Sequence, residues 1–166
     1  MSLWADIYKK SPDKARVNQN FGMALFYANR VDEAILIFEK ALRNYVEETK
    51  LQKSVSTYVT SVNFYNLGIV YKEKGLYKKA MFYLNRALEE FYFSSETHYH
   101  LGLCYALTWR LEKAVYHFSK ALEFSKNHSL YTGMQASEAN IKSSLAVANR
   151  FLKEQKEREL LKKINK

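Results

Sequence analysis

Apolar positions along this chain fall at helical intervals, and the same arrangement of them returns three times. The first copy reads Asn20-Phe21-Gly22-Met23-Ala24-Leu25, then Ala34, Phe38 and Ala41-Leu42. The second reads Asn66-Leu67-Gly68-Ile69-Val70-Tyr71, then Ala80, Leu84 and Ala87-Leu88. The third reads His100-Leu101-Gly102-Leu103-Cys104-Tyr105, then Ala114, Phe118 and Ala121-Leu122. In every copy the glycine precedes the first alanine by 12 residues, and the two alanines stand 7 apart. Steps of three, four and seven place side chains on one face of an α-helix; a strand would alternate instead. Chance does not hold three copies in such register, so the chain reads as repeated pairs of antiparallel helices.

Antiparallel helices approach closely where small side chains lie between them. Gly22, Gly68 and Gly102 are expected to supply that on the first helix of each pair. Ala34, Ala80 and Ala114 are expected to face them from the second. Ala41, Ala87 and Ala121 would admit the next pair, while Phe21, Leu67, Leu101, Phe38, Leu84 and Phe118 fill the spaces between. Each pair leaves an apolar face uncovered, so the pairs must stack, and the stack is expected to be a right-handed superhelix with an inner groove. Gly68 and Gly102 are 34 apart, but Gly22 and Gly68 are 46 apart. The twelve extra residues fall within Asn44 to Thr60, which has neither Gly nor Pro, and predict two longer helices around a turn near Thr49 to Ser54.

At the N-terminal end, Ser11-Pro12-Asp13 reads as a helix start, with Ser11 as N-cap and Pro12 in the first helical position. Leu3 to Tyr8 would form one or two turns before it, with Trp4 and Ile7 covering the first pair. A last helical region is expected from about Leu130 to Ile164, where Ile141, Leu145, Ala148 and Leu152 form a stripe that would cap the third pair. Lys153 to Glu159 is polar on every side. Leu160, Leu161 and Ile164 then form a small apolar patch, read either as a partner or self-association contact or as an idle frayed end.

Composition agrees with helices. Of 166 residues only 5 are Gly and 1 is Pro, and 48% are hydrophobic. The single Cys104 excludes an internal disulfide framework and leaves the compartment undecided. No run of 18 apolar residues is present, so this chain is not expected to insert into a membrane. The formal net charge is +9, of which the last 17 residues carry +4 (seven basic, three acidic). The rest is spread between acidic residues, which reads as a solvated surface rather than a nucleic-acid interface.

No constellation with chemistry stands out. His98 and His100 are two apart on a helix and point to different sides, and neither His117 nor His128 has a Cys or carboxylate at ligand spacing. Cys104 sits among the small residues of its repeat and reads as a buried, inert thiol. The five glycines are isolated, so no phosphate-binding loop is formed. The expectation is a non-enzyme with no cofactor and no metal.

The three copies resemble the tetratricopeptide repeat family over residues 15–126. That resemblance implies an all-α fold, an α-solenoid of three helix-turn-helix units at 15–48, 61–94 and 95–128 with a helical insertion at 49–60. A short N-terminal cap (1–14) and a long C-terminal capping helix with a basic tail (129–166) complete it. The family's proline after each second helix is missing, and its glycine between helices survives as Gly75; Asn29 suits that left-handed position, whereas Trp109 is unusual there. The resemblance implies a protein- or peptide-binding scaffold whose groove is lined by the first helices. Its positions here are Arg16, Gln19, Met23, Phe26 and Tyr27, then Val62, Tyr65, Asn66, Ile69, Lys72 and Glu73, then Glu96, Tyr99, Leu103, Ala106 and Leu107. Aromatic and apolar in the middle and polar at the rim, such a wall suits a peptide with apolar side chains. Part of it could instead pack against the C-terminal helix.

One subclass of the family clamps the terminal carboxylate of heat-shock chaperones with Lys, Asn and Arg. The matching places here hold Gln19, Met23, Asn66, Glu96 and His100, of which only Asn66 fits, so that ligand is disfavoured. The stretch Ser2 to Arg16 resembles the joint in bacterial multi-spanning membrane proteins, related to protein mannosyltransferases, that carry such a domain after their last membrane helix. This implies a soluble accessory domain on the extracytoplasmic face; otherwise the chain is expected to be cytoplasmic. A peptide-sensing regulator, similar to helical-repeat receptors of quorum sensing, is the other alternative.

Overall fold

The computed structural model describes residues 3–51, 57–90, 95–127 and 137–165. Eight helices occupy them: α1 (Leu3–Lys10), α2 (Ala15–Tyr27), α3 (Val31–Leu51), α4 (Thr57–Glu73), α5 (Tyr77–Glu90), α6 (Ser95–Leu107), α7 (Leu111–Asn127) and α8 (Glu138–Ile164). Contacts gather them into two compact units, Met1–Tyr92 and Phe93–Lys166. Within the first, α2 pairs with α3 and α4 with α5, while α3 and α4 also meet; within the second, α6 pairs with α7, and α8 lies along α7.

The turn inside each hairpin has one construction. Asn29, Gly75 and Trp109 all take positive φ, at 59°, 73° and 56°. The N–H of each reaches back three residues, and the next N–H reaches back five: Arg30 to Leu25, Leu76 to Tyr71 and Arg110 to Tyr105, each at 2.9 Å. This is the Schellman end of a helix, which satisfies two of the carbonyls left over by the last turn. Gly75 and Asn29 adopt it cheaply; Trp109 carries the steric cost of a left-handed non-glycine residue.

Helix contact inside the hairpins departs from small facing small. A methyl group on Gly22 would lie 2.8 Å from Phe38, on Gly68 2.5 Å from Leu84, and on Gly102 2.6 Å from Phe118. Each glycine therefore makes room for the largest core residue of the opposite helix. Phe38, Leu84 and Phe118 are consequently buried at 0–1% exposure, and Ala34, Ala80 and Ala114 are fully buried beside them. A large side chain entering a glycine notch fills volume that two small residues would leave empty, which explains the arrangement.

The mouth of each hairpin is closed by a side chain. Ser61 Oγ donates to the carbonyl of Ala87 at 3.0 Å, and Ser95 Oγ to that of Ala121 at 2.8 Å. In the first hairpin Asn44 Nδ2 donates to the carbonyl of Asp13 at 2.8 Å.

The two ends correct one expectation and extend another. Helix α2 begins at Ala15, not Pro12, and its N-cap is Lys14 without a side-chain bond. The Ser11 N–H is spent on α1, bonding the carbonyls of Ile7 (3.0 Å) and Tyr8 (3.3 Å), so Ser11-Pro12-Asp13 forms the turn between helices. Helix α1 buries no residue fully, but Tyr8 stacks on Phe21 with ring centroids 4.6 Å apart. The long α3 and α4 match the extension read from the twelve extra residues; 52–56 of that segment lie outside the described residues. At the other end α8 starts at Glu138, capped by Ser137 Oγ, which accepts from Asn140 N at 3.2 Å. The expected helical stretch 130–136 lies outside the described residues. Ile141 and Ala148 are buried, Leu145 and Leu152 half-buried, and Leu160, Leu161 and Ile164 exposed.

Candidate functional site

Hairpin packing decides which faces of the first helices remain available. In α2, Asn18, Gly22 and Leu25 turn toward the core. Gln19, Met23 and Phe26, spaced four and three apart, are left half-buried on another face. In α4, Asn63, Leu67, Val70 and Tyr71 are buried, and Tyr65, Ile69 and Lys72 form the matching half-buried strip. Helices α2 and α4 touch within the first unit. Tyr27 is 66% exposed and tilted against Phe26 at 5.8 Å.

Two members of this set are committed elsewhere. Asn66 is buried, with its Nδ2 lacking a hydrogen-bond partner, and the Lys72 ammonium forms an ion pair with Glu73. The second unit carries the third strip on α6. Tyr99 is held against Phe118 at 5.8 Å, Leu103 is half-buried, and Leu107 is 56% exposed. Helix α8 lies mainly along α7 and leaves Leu107 open; it crosses the α6–α7 turn through Phe151, edge-on to Trp109 at 5.9 Å, and Lys156, paired with Glu112 at 3.2 Å.

Polar anchoring in the first unit centres on Tyr71, whose hydroxyl donates to Glu39 Oε1 of α3 at 3.0 Å. Tyr83 lies parallel to it at 5.4 Å, and Lys79 covers its ring at 5.1 Å. Burial and then the Glu39 carboxylate push the Tyr71 hydroxyl above its ordinary range, so it stays a neutral donor.

The feature that sequence reading missed lies in the second unit. His98 Nδ1 and His117 Nδ1 are 2.9 Å apart and buried between α6 and α7. The histidine nearest to His98 along the sequence is His100, whereas the informative partner stands 19 residues away. The repeat register held the signal, because the same offset joins Phe64 and Tyr83 in the preceding hairpin. Cys104 is a free, buried thiol, and no group of three His, Cys, Asp or Glu able to hold a metal occurs among the described residues. No helix among them is long and apolar enough to cross a membrane. His128 lies outside the described residues.

Family models described as tetratricopeptide repeat match residues 15–45, 63–90 and 95–128, more than half of the chain and all three hairpins. The chain belongs to the tetratricopeptide repeat family. Tetratricopeptide repeats are generally protein-binding modules rather than catalysts. Among solved structures it is similar to the APC/C hetero-tetramer Cut9–Hcn1, with a TM-score of 0.73 and 20% identity over 87% of this chain and 25% of that one. It is also similar to YrrB, a tetratricopeptide repeat protein with an unusual peptide-binding site (TM-score 0.61, 21% identity, 76% of this chain and 59% of that one). A third is the C-terminal repeat domain of a Plasmodium falciparum FK506-binding protein (TM-score 0.70, 20% identity, 87% and 91%). The tetratricopeptide chain thus spans a quarter of the Cut9–Hcn1 chain and under two thirds of YrrB. No curated protein sequence matches it. The resemblance of residues 2–16 to a membrane-protein joint is not shown by these matches.

Proposed function

We propose that this chain is a protein- or peptide-binding module, with ligand-holding strips on α2 and α4 in the first unit and, taken by itself, on α6 in the second. One observation carries the reading. The faces of these three helices not used by their own hairpins are aromatic and apolar yet only half-buried, through Met23, Phe26, Tyr65, Ile69, Tyr99 and Leu103. Side chains of that kind gain most by completing their burial against a partner. The ligand class that fits is a segment with apolar side chains rather than a carboxylate terminus, since Lys72 is engaged by Glu73 and Glu96 stands where a clamp needs a cation. The peptide-binding site of YrrB, a neighbour in fold, supports the same reading.

Tyr65→Ala and Tyr99→Ala test it on a peptide array and by titration of the best binder. Each is expected to weaken binding on the order of tenfold, about 1.4 kcal/mol, while the melting temperature stays close to that of the native chain. Unchanged affinity in both variants would remove these strips from consideration.

A further inference from the structure

The hairpins α4/α5 and α6/α7 align without gaps at a spacing of 34, and one stacked pair inside them changes from aromatic to titratable. Where the earlier hairpin sets Phe64 against Tyr83, with ring centroids 6.3 Å apart, the later one sets His98 against His117 at 5.2 Å. The rest of the aromatic column is kept: Tyr105 stacks on His117 at 5.2 Å, as Tyr71 stacks on Tyr83 at 5.4 Å. We infer that this substitution makes α6/α7 an acid-releasable hairpin, closed while the two imidazoles share a hydrogen bond and opened when both carry a proton. The inference does not depend on the ligand-binding reading above.

Proton positions explain the release. With both rings neutral, one Nδ1–H donates to the lone pair of the other Nδ1, so the two rings hold opposite tautomers. A first proton enters on the free Nε2 of the donor ring and leaves the shared bond in place. A second proton has only the accepting Nδ1 to occupy. Two N–H groups on two cations would then face each other across 2.9 Å, and the bond becomes a repulsion.

The surroundings offer one partial relief, the Glu123 carboxylate, which favours a proton on His98. On α7, Lys113 and Lys120 lie close enough to oppose protonation, and Glu123, the carboxylate acting on His98, is bound by Lys120 at 2.8 Å. Phe124 stacks on His98 at 5.4 Å and Tyr116 stands edge-on to His117 at 5.1 Å. On α6, Glu96 and His100 are each two residues from His98, about 200° around the helix. Helix α8 turns Ile141 and Ala148 inward, and its first-turn Glu138 pairs with Lys142 at 2.6 Å.

Burial first, then Lys120 for His98, and the His98 imidazole followed by Lys113 for His117, lower both histidines from the ordinary 6.5 to about 4. The folded hairpin therefore binds fewer protons than the unfolded one between those values. Its stability is complete above pH 6.5 and falls as the pH drops toward 4.

Acid titration of the whole chain, followed by NMR of backbone amides and imidazole rings, tests the inference. The expected result is loss of dispersion in α6 and α7 while α4 and α5 remain folded, with the two rings titrating below pH 5. In the double variant His98→Phe/His117→Tyr, which copies the earlier hairpin, the α6/α7 midpoint is expected to move down by about one pH unit or more. Rings that titrate near 6.5 with the hairpin intact would overturn the inference, and so would simultaneous loss of both hairpins in native chain and variant. The native measurement stands alone should the double variant not fold.

Discussion

Gly68 has no room for a methyl group. Its added Cβ would meet the branching carbon of Leu84 at 2.5 Å, a point the side chain cannot swing away without leaving the core. Gly68→Ala is expected to cost about 1–3 kcal/mol, lowering the melting temperature by several degrees in a thermal scan. Asn63 presents the opposite case. It is fully buried, and neither its amide nitrogen nor its oxygen has a hydrogen-bond partner. Val17 occupies the aligned place in the first hairpin, so Asn63→Val is expected to stabilise the chain by about 1–2 kcal/mol in denaturant unfolding, with the slope unchanged. At this scale the sequence announced which positions were tight, because three glycines in register can hardly be accidental. It did not announce what filled the notch. That the partner is Phe38, Leu84 or Phe118 rather than an alanine follows from which residues of the second helix come level with the glycine, and spacing along one helix does not contain that. The left-handed Trp109 was legible only by alignment with Gly75 and Asn29, against its own propensity.

Helix α8 shows how an element caps a hairpin. Its face from Ile141 to Leu152 is turned inward, and the charges of the following turns are engaged in pairs such as Lys153–Glu157 and Arg150–Glu154, both at 3.9 Å. The neighbouring residues Val147 and Ala148 separate the two faces, at 44% and 3% exposure. Ala148→Glu would bury an unpaired carboxylate against α7 and is expected to destabilise the second unit by about 3 kcal/mol or more, whereas Val147→Glu is expected to stay within about 0.5 kcal/mol. Chemical denaturation of the two variants side by side checks this. The stripe itself follows from a 3.6-residue period in the sequence. The start of α2 was misjudged because Ser11 and Pro12 carry the signature of a helix beginning equally well when they end the preceding one.

Across the whole molecule, the last 17 residues carry +4 of the net +9, and many basic side chains elsewhere are paired with acidic ones. Arg30–Glu33, Arg86–Glu89 and Lys120–Glu123 join neighbouring turns, while Lys74–Asp32 and Lys40–Asp13 join separate elements. The half-buried exposure of Met23, Ile69 and Leu103, which hold the same place in the three copies, follows from the repeat register, which sets one helix face three times. The histidine pair is not legible from one helix face, since its two members lie on different helices and neither is unusual alone. The hairpins share a further trait with mechanical meaning. Each is fastened twice, by a left-handed bend at its crown and by a side-chain clasp at its mouth: Ser61 to Ala87, Ser95 to Ala121, Asn44 to Asp13. A pair of rods joined only at the crown peels apart from the loose end under tension. One pinned at both extremities resists until the load exceeds both fastenings, then gives way in a single step.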